Sequence, residues 1–208
     1  MRINLNALLK LPLPLVLASQ SPRRSALLNH VGFTFTTVVP NIDEDAVDTA
    51  LPPHEYVSEL AHRKAIQGAS LCTEPSIVVG SDTTVVLDGT VLNKPTGPLD
   101  AHRMLRLLSG RTHTVYTGVS LATSGTERYV LSQWRATQVS FRELTDEEIT
   151  AYISAGSPLD KAGAYGIQDD FGATFVRHIE GCYYTIVGLP LELLHTMLQE
   201  FVRTFPGE

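Results

Sequence analysis

The sequence predicts an α/β or α+β domain built on a mixed β-sheet. Three observations carry that expectation. Apolar, β-branched runs such as Leu13 to Ala18 alternate with stretches of helical periodicity. The pairs Asp88-Gly89 and Ser124-Gly125 lie between strand-like runs and read as hairpin turns. Hairpins give antiparallel neighbours and strand–helix–strand connections give parallel ones, so the sheet is not purely parallel.

Taken in order, Leu13 to Ala18 reads as a buried strand. Ser21-Pro22 opens a helix, with Ser at the cap and Pro at the first helical position. Leu27, Leu28 and Val31 form its apolar side, and Gly32 ends it. Phe33 to Val39 is a strand stopped by Pro40. Pro52-Pro53 starts a helix to about Leu71, with Val57, Leu60, Ala61 and Ala65 on one face. Ile77 to Val79 and Val85 to Leu87 read as two strands flanking Ser81-Asp82-Thr83, and Val91-Leu92 returns after the Asp88-Gly89 turn. Leu99 to Leu108 is an amphipathic helix stopped by Gly110. His113 to Ala122 and Tyr129 to Phe141 are long strands. Thr145-Asp146-Glu147-Glu148 is a capping box for a helix to Ala155. Ala173 to Ile179 reads as a strand and Leu191 to Val202 as the last helix.

The chain has 208 residues, 43% hydrophobic and 18% charged, enough for one domain with a real core. A formal net charge of −6 argues against a nucleic-acid polymer as main partner, though a few local cations can still hold a small anion. Cys72 and Cys182 stand far apart with no CxxC, so neither a disulfide framework nor a zinc cluster is expected, and a reducing, cytoplasmic setting is. The apolar run from Met1 to Pro12 is broken by Asn4, Asn6 and Lys10, unlike a secretory signal, and no stretch is long enough for a membrane span.

Several residues could carry chemistry. Asp82 interrupts one of the most apolar parts of the chain, where a carboxylate is costly unless paired or metal-bound. It reads equally as a metal ligand or general base and as a loop residue bonded to backbone amides. Ser19-Gln20-Ser21-Pro22-Arg23-Arg24 joins the first strand to the first helix, and a helix N-terminus attracts phosphate. Arg23 and Arg24 there either await an anion or are simply solvated. Lys64, seven residues after Val57, either snorkels or aims its ammonium into a cleft. Lys94 precedes Pro95. Glu44, within Asp43-Glu44-Asp45, is a solvated carboxylate or, with Asp82, an oxygen ligand for Mg²⁺. Asp160-Lys161-Ala162-Gly163-Ala164-Tyr165-Gly166-Ile167-Gln168 is a Gly-rich turn but no Walker loop, and its plain reading is a connection. No HExxH, no nucleophile elbow and no ordered Ser/His/Asp set is present.

Eight motifs in order give the chain a resemblance. They are Leu17-Ala18-Ser19-Gln20-Ser21-Pro22-Arg23-Arg24, Asp43-Glu44, Leu60-Ala61-His62-Arg63-Lys64-Ala65, Gly80-Ser81-Asp82-Thr83, Lys94-Pro95, Leu108-Ser109-Gly110, the Asp160 to Gln168 segment and Gly188-Leu189-Pro190-Leu191. From about Leu15 to Leu194 the chain resembles the Maf family of nucleoside triphosphate pyrophosphatases, also called septum-formation proteins. The resemblance implies an α/β fold like that of inosine triphosphatases: a mixed twisted sheet flanked by helices, in two lobes around a central cleft. It implies one such domain over residues 13–208 with an N-terminal extension over residues 1–12.

Pro22 directly before Arg23, Thr83 after Asp82, and Gln168 resemble the branch acting on dTTP and UTP, with CTP or modified pyrimidine nucleotides as further candidates. A carboxamide at position 168 can match a uracil or thymine edge, whereas a carboxylate suits guanine. The implied chemistry is hydrolysis to the monophosphate and pyrophosphate with a divalent cation, Mg²⁺ or Mn²⁺. The implied metal ligands are Glu44 and Asp82, with Asp82 also the general base and Lys64 and Lys94 clamping phosphate oxygens. Ser19 and the amides after it bind the phosphate chain, Arg23 is a further substrate-binding residue, and Arg24, Thr83 and Gln168 select the base. A homodimer is one expected assembly, and nucleotide-pool cleaning or a link to division arrest the expected role. The rivals are a non-catalytic nucleotide-binding regulator of septum formation and a pyrophosphatase for purine or methylated nucleotides. The chain departs from the family pattern at Asn93, where Glu is common, and at Asp169-Asp170-Phe171, where glycines are more usual.

Overall fold

A computed structural model describes residues 3–44, 46–126, 128–156, 158–169 and 171–205. Asp45 and Asp170, named above, lie outside the described residues. Helix α1 (Leu5–Leu9) precedes strand β1 (Leu15–Ala18), helix α2 (Pro22–Val31), strand β2 (Phe35–Val38) and helix α3 (Pro53–Ser70). Strand β3 (Ile77–Leu87) turns into β4 (Thr90–Leu92), and helix α4 (Pro98–Leu108) leads to β5 (Thr112–Thr123) and β6 (Val130–Phe141). Helix α5 (Asp146–Ser154), strand β7 (Val176–Glu180), and helices α6 (Tyr183–Val187) and α7 (Leu191–Thr204) complete the chain.

The sheet has seven strands in the order β2-β1-β3-β5-β6-β7, with β4 paired to β3. Strand β1 runs parallel to both β2 and β3, while β3–β4 and β6–β7 are antiparallel, which is the mixed sheet expected. The β3–β4 turn has positive φ at both Asp88 and Gly89, the backbone of a two-residue hairpin whose twist matches its strands.

The chain divides into two compact units. Unit 1 holds the residues up to Asp82, Thr117–Arg135 and those from Gly188 on. Its core is β1, the start of β3, the inner face of α3 and the apolar stripe of α7 from Leu191 to Phe201. The segment before β1 is tied to this unit. Asn6 Nδ2 donates to the Thr34 carbonyl at 2.8 Å, and the Thr34 amide donates back to Asn6 Oδ1 at 2.8 Å. Unit 2 holds Thr83–Tyr116 and Ala136–Val187. Its core is aromatic: Phe141 meets Tyr165 and Phe175 edge-on, and Phe175 meets Tyr152. The capping box closes as expected, Thr145 Oγ1 accepting from the Glu148 amide at 3.2 Å while Glu148 accepts from the Thr145 amide at 2.9 Å.

Three local expectations are corrected. Ser81-Asp82-Thr83 is not a break between two strands: β3 runs unbroken from Ile77 to Leu87. Residues 172–175 form a 3-10 turn, so the strand expected from Ala173 begins at Val176. Ser21 stands at the cap of α2, but its side chain makes no capping bond.

Candidate active site

The site in unit 1 begins with how closely α3 approaches the sheet. A Cβ on Gly80 would stand 2.3 Å from the Ala61 carbonyl oxygen, and one on Gly118 would stand 2.3 Å from that of Val57. Only glycine permits this contact between helix and strand backbones. It places the inner face of α3 directly over β3, and Lys64 is on that face.

Lys64 is 9% exposed and Asp82 8%. Lys64 Nζ donates to Asp82 Oδ1 at 2.6 Å and lies 2.7 Å from Glu44 Oε1. Of the alternatives left open by sequence, Lys64 therefore turns its ammonium inward, and Asp82 is a strand residue paired to it. Ser81, pointing to the opposite side of the strand, shares its proton between the Gly118 and Gly188 carbonyls at 2.9 and 3.0 Å. Such partners let Ser81 and Asp82, two consecutive polar residues, stay inside a buried strand.

Arg24, on the first turn of α2, donates from Nε to the Gly188 carbonyl at 2.8 Å and from Nη1 to Ser19 Oγ at 3.3 Å. Ser19 is 8% exposed, and its hydroxyl oxygen also accepts from the Ser21 amide at 3.1 Å. Burial draws the Arg24 guanidinium below the ordinary arginine range. Asp82 and Glu44 pull it back up, and Arg23 pushes it further down. The group remains charged all the same. The first turn of α2 carries no acidic residue, so Arg23 and Arg24 lie beside the positive end of its dipole. Ser19, Arg24, Glu44, Lys64 and Asp82 are thus brought together, with two carboxylates beside two cations.

The donor set fits a hard divalent cation. Glu44 and Asp82 offer carboxylate oxygens that already share one ammonium. Mg²⁺ characteristically takes one or two carboxylates, completing its shell with water and substrate phosphate. Among the described residues there is no group of three or more His, Cys, Asp and Glu that would form an all-protein cage.

Thr83, Lys94 and Gln168 belong to unit 2. Thr83 is half-buried and Lys94 exposed, while the neighbouring Asn93 accepts from Thr84 Oγ1 at 3.1 Å. Gln168 is exposed and donates from Nε2 to Asp169 Oδ1 at 2.9 Å. Sequence reasoning missed a cluster around it. Lys161, 9% exposed, pairs with Asp160 at 2.8 Å and Asp169 at 3.2 Å, and the Tyr152 hydroxyl donates to Asp169 Oδ2 at 2.9 Å. The available signal was a single lysine inside a run of Ala and Gly, flanked by aspartates.

The family model described as Maf-like protein matches residues 14–201. The chain belongs to the Maf-like family. Curated relatives of this Maf-like chain include a dTTP/UTP pyrophosphatase of Salmonella typhimurium, 48% identical over 90% of this chain and 92% of the relative. Another, from Vibrio cholerae, is 47% identical over 90% of this chain and 97% of the relative, and is also named dTTP/UTP pyrophosphatase. A third of the same name, from Clostridium perfringens, is 44% identical over 89% and 96%. Among solved structures, a HAM1 protein from Coxiella burnetii covers 90% of the chain and 99% of its own at 17% identity, with a TM-score of 0.46, too distant to bear on chemistry. Among the described residues, no helix of the Maf-like chain is long and apolar enough to cross a membrane.

Proposed function

We propose that this chain hydrolyses nucleoside triphosphates, dTTP and UTP foremost, to the nucleoside monophosphate and pyrophosphate. The single observation that supports this best is the buried Lys64–Asp82 pair with Glu44 and Arg24 beside it, in a chain whose curated relatives are dTTP/UTP pyrophosphatases.

In this reading water attacks the α-phosphorus, Asp82 takes a proton from that water, and the bond to the β-phosphate bridging oxygen breaks as pyrophosphate leaves. Charge builds on phosphate oxygens, so positioned cations supply most of the acceleration. Lys64 and Lys94 hold phosphate oxygens as point charges. Ser19 and Arg23 bind the phosphate chain at the start of α2. Arg24, Thr83 and Gln168 select the base. Glu44 and Asp82 would hold a divalent cation, Mg²⁺ or Mn²⁺, which would supply charge neutralisation at the phosphates and a more acidic water. The half-exposed free thiols Cys72 and Cys182 suit a reducing cytoplasm.

The test is a panel of nucleoside triphosphates with Mg²⁺, with pyrophosphate and orthophosphate assayed separately. Pyrophosphate from UTP and dTTP, abolished by chelation and lowered about 10²-fold or more by Asp82→Asn, is the expected result. Orthophosphate release, saturable binding without turnover, or a near-normal Asp82→Asn enzyme would overturn it.

A further inference from the structure

We propose that Asp169 fixes the orientation of the Gln168 carboxamide, so that the enzyme meets a base with a hydrogen-bond acceptor and not a donor. The inference rests on the reading of Gln168 as a base selector.

The argument is one of donor and acceptor inventory within unit 2. Asp169 Oδ1 accepts from Gln168 Nε2 at 2.9 Å. Asp169 Oδ2 accepts from the Tyr152 hydroxyl at 2.9 Å and lies 3.2 Å from Lys161 Nζ. Tyr152 is itself oriented, because its oxygen accepts from the Gly166 amide at 3.0 Å and its proton goes to Asp169. The carboxylate is thus held on both oxygens. The loop closes tightly over the pair, since a Cβ on Gly166 would stand 2.4 Å from Asp169 Oδ2 and 2.7 Å from Gln168 Nε2.

An ionised carboxylate can only accept. Whichever end of the Gln168 amide faces Asp169 must therefore be the NH₂ group, a conclusion independent of how the two ends are drawn. The amide is planar, so Oε1 points the other way. A glutamine with no such neighbour can present either end and pair with either kind of base edge. Held by Asp169, Gln168 presents a carbonyl. Uracil and thymine offer the N3–H donor that a carbonyl requires. Cytosine carries a bare acceptor nitrogen at that ring position, and two facing acceptors repel. A site that leaves polar groups unpaired with the wrong ligand rejects it more strongly than a site that merely lacks a contact. Asp169 is therefore a positioning residue that converts an ambiguous side chain into one that reads uracil and thymine against cytosine.

The test compares kcat and KM for UTP, dTTP and CTP in the wild type, Asp169→Asn, Gln168→Met and the double variant. Asparagine can accept or donate, so Asp169→Asn frees the amide to turn. The CTP-to-UTP ratio of kcat/KM is expected to rise about 10-fold, carried by KM, with kcat for UTP and the melting temperature near wild type. In the Gln168→Met background the same substitution should leave the ratio where it was. An unchanged ranking in Asp169→Asn overturns the proposal, as does an equal shift in the Gln168→Met background or a uniform loss for all nucleotides with a lowered melting temperature. Should Asp169→Asn fail to fold, Asp169→Ser decides: its hydroxyl can accept or donate, so it should move the ratio the same way, and no movement overturns the proposal. Calorimetric binding of UTP and CTP reads the same ranking without turnover. A wild type that binds both but hydrolyses neither therefore defeats the pyrophosphatase reading, while a binding ratio unmoved by Asp169→Asn defeats this one.

Discussion

Acidification should weaken the fold through one side chain, His113, by about 2.5 kcal/mol between pH 7.5 and pH 4.5. His113 is 2% exposed on β5, its Nε2 lies 2.8 Å from the Tyr165 hydroxyl, and its ring meets Phe141 and Tyr165 edge-on. Nδ1 is buried with no hydrogen-bond partner. Burial pushes its pKa down, from 6.5 to about 4. The folded protein therefore holds this imidazole neutral. Below pH 6.5 the unfolded chain takes up a proton that the native state refuses until about pH 4, so stability falls with pH across that window. A shift of that size corresponds to about 3 kcal/mol in all at 1.36 kcal/mol per unit, most of it expressed by pH 4.5.

Carboxylates titrate in the same range, so the measurement must be a difference. Urea unfolding should be followed from pH 7.5 to 4.5 for the wild type and for a His113→Leu, Tyr165→Phe double variant, which removes both members of the polar pair and leaves no new orphan. The wild type is expected to lose about 2.5 kcal/mol more than the variant over that range. Parallel pH profiles would refute the reasoning, because they would mean that position 113 accepts its proton equally well in both states.

Two further substitutions probe the scaffold. Gly80→Ala sets a methyl 2.3 Å from the Ala61 carbonyl oxygen, so α3 must lift from β3, carrying Lys64 with it. Stability should fall by about 2 kcal/mol or more and turnover with it, by denaturant midpoint and pyrophosphate assay. Thr145→Ala removes one half of the α5 capping box and should cost about 1 kcal/mol while leaving kcat unchanged.

Much of the fold could be read directly because local rules govern it. The hairpin at Asp88-Gly89, the capping box at Thr145 and the stripe of α7 depend on nearest neighbours and periodicity alone. β3 was misread for the opposite reason. Ser81 and Asp82 look like strand breakers until their partners are known, and those partners lie 18, 37 and 107 residues away in Lys64, Gly118 and Gly188. No local pattern encodes such a distance. The same holds for Glu44, whose loop position gives no sign that Lys64 waits beside it. Lys161 was passed over because a lysine in a Gly-rich turn is ordinarily solvated, and only the fold shows it pinned between Asp160 and Asp169. The start of β7 was placed too early because Ala173 to Phe175 has strand-like composition but turns as a 3-10 segment.

The glycine seam beneath α3 bears on how this chain can change. At Gly80 and Gly118 main chain rests on main chain, with no side chain between to act as a shim. Repacking ordinarily absorbs a substitution by letting flexible groups yield, and here nothing flexible is available. The height of the helix above the sheet is thus set by peptide geometry, and the reach of Lys64 to Asp82 is inherited from it. The surrounding apolar residues can be exchanged for others of similar bulk without retuning that reach, whereas a single added methyl on the seam would be transmitted undiminished to the charged pair.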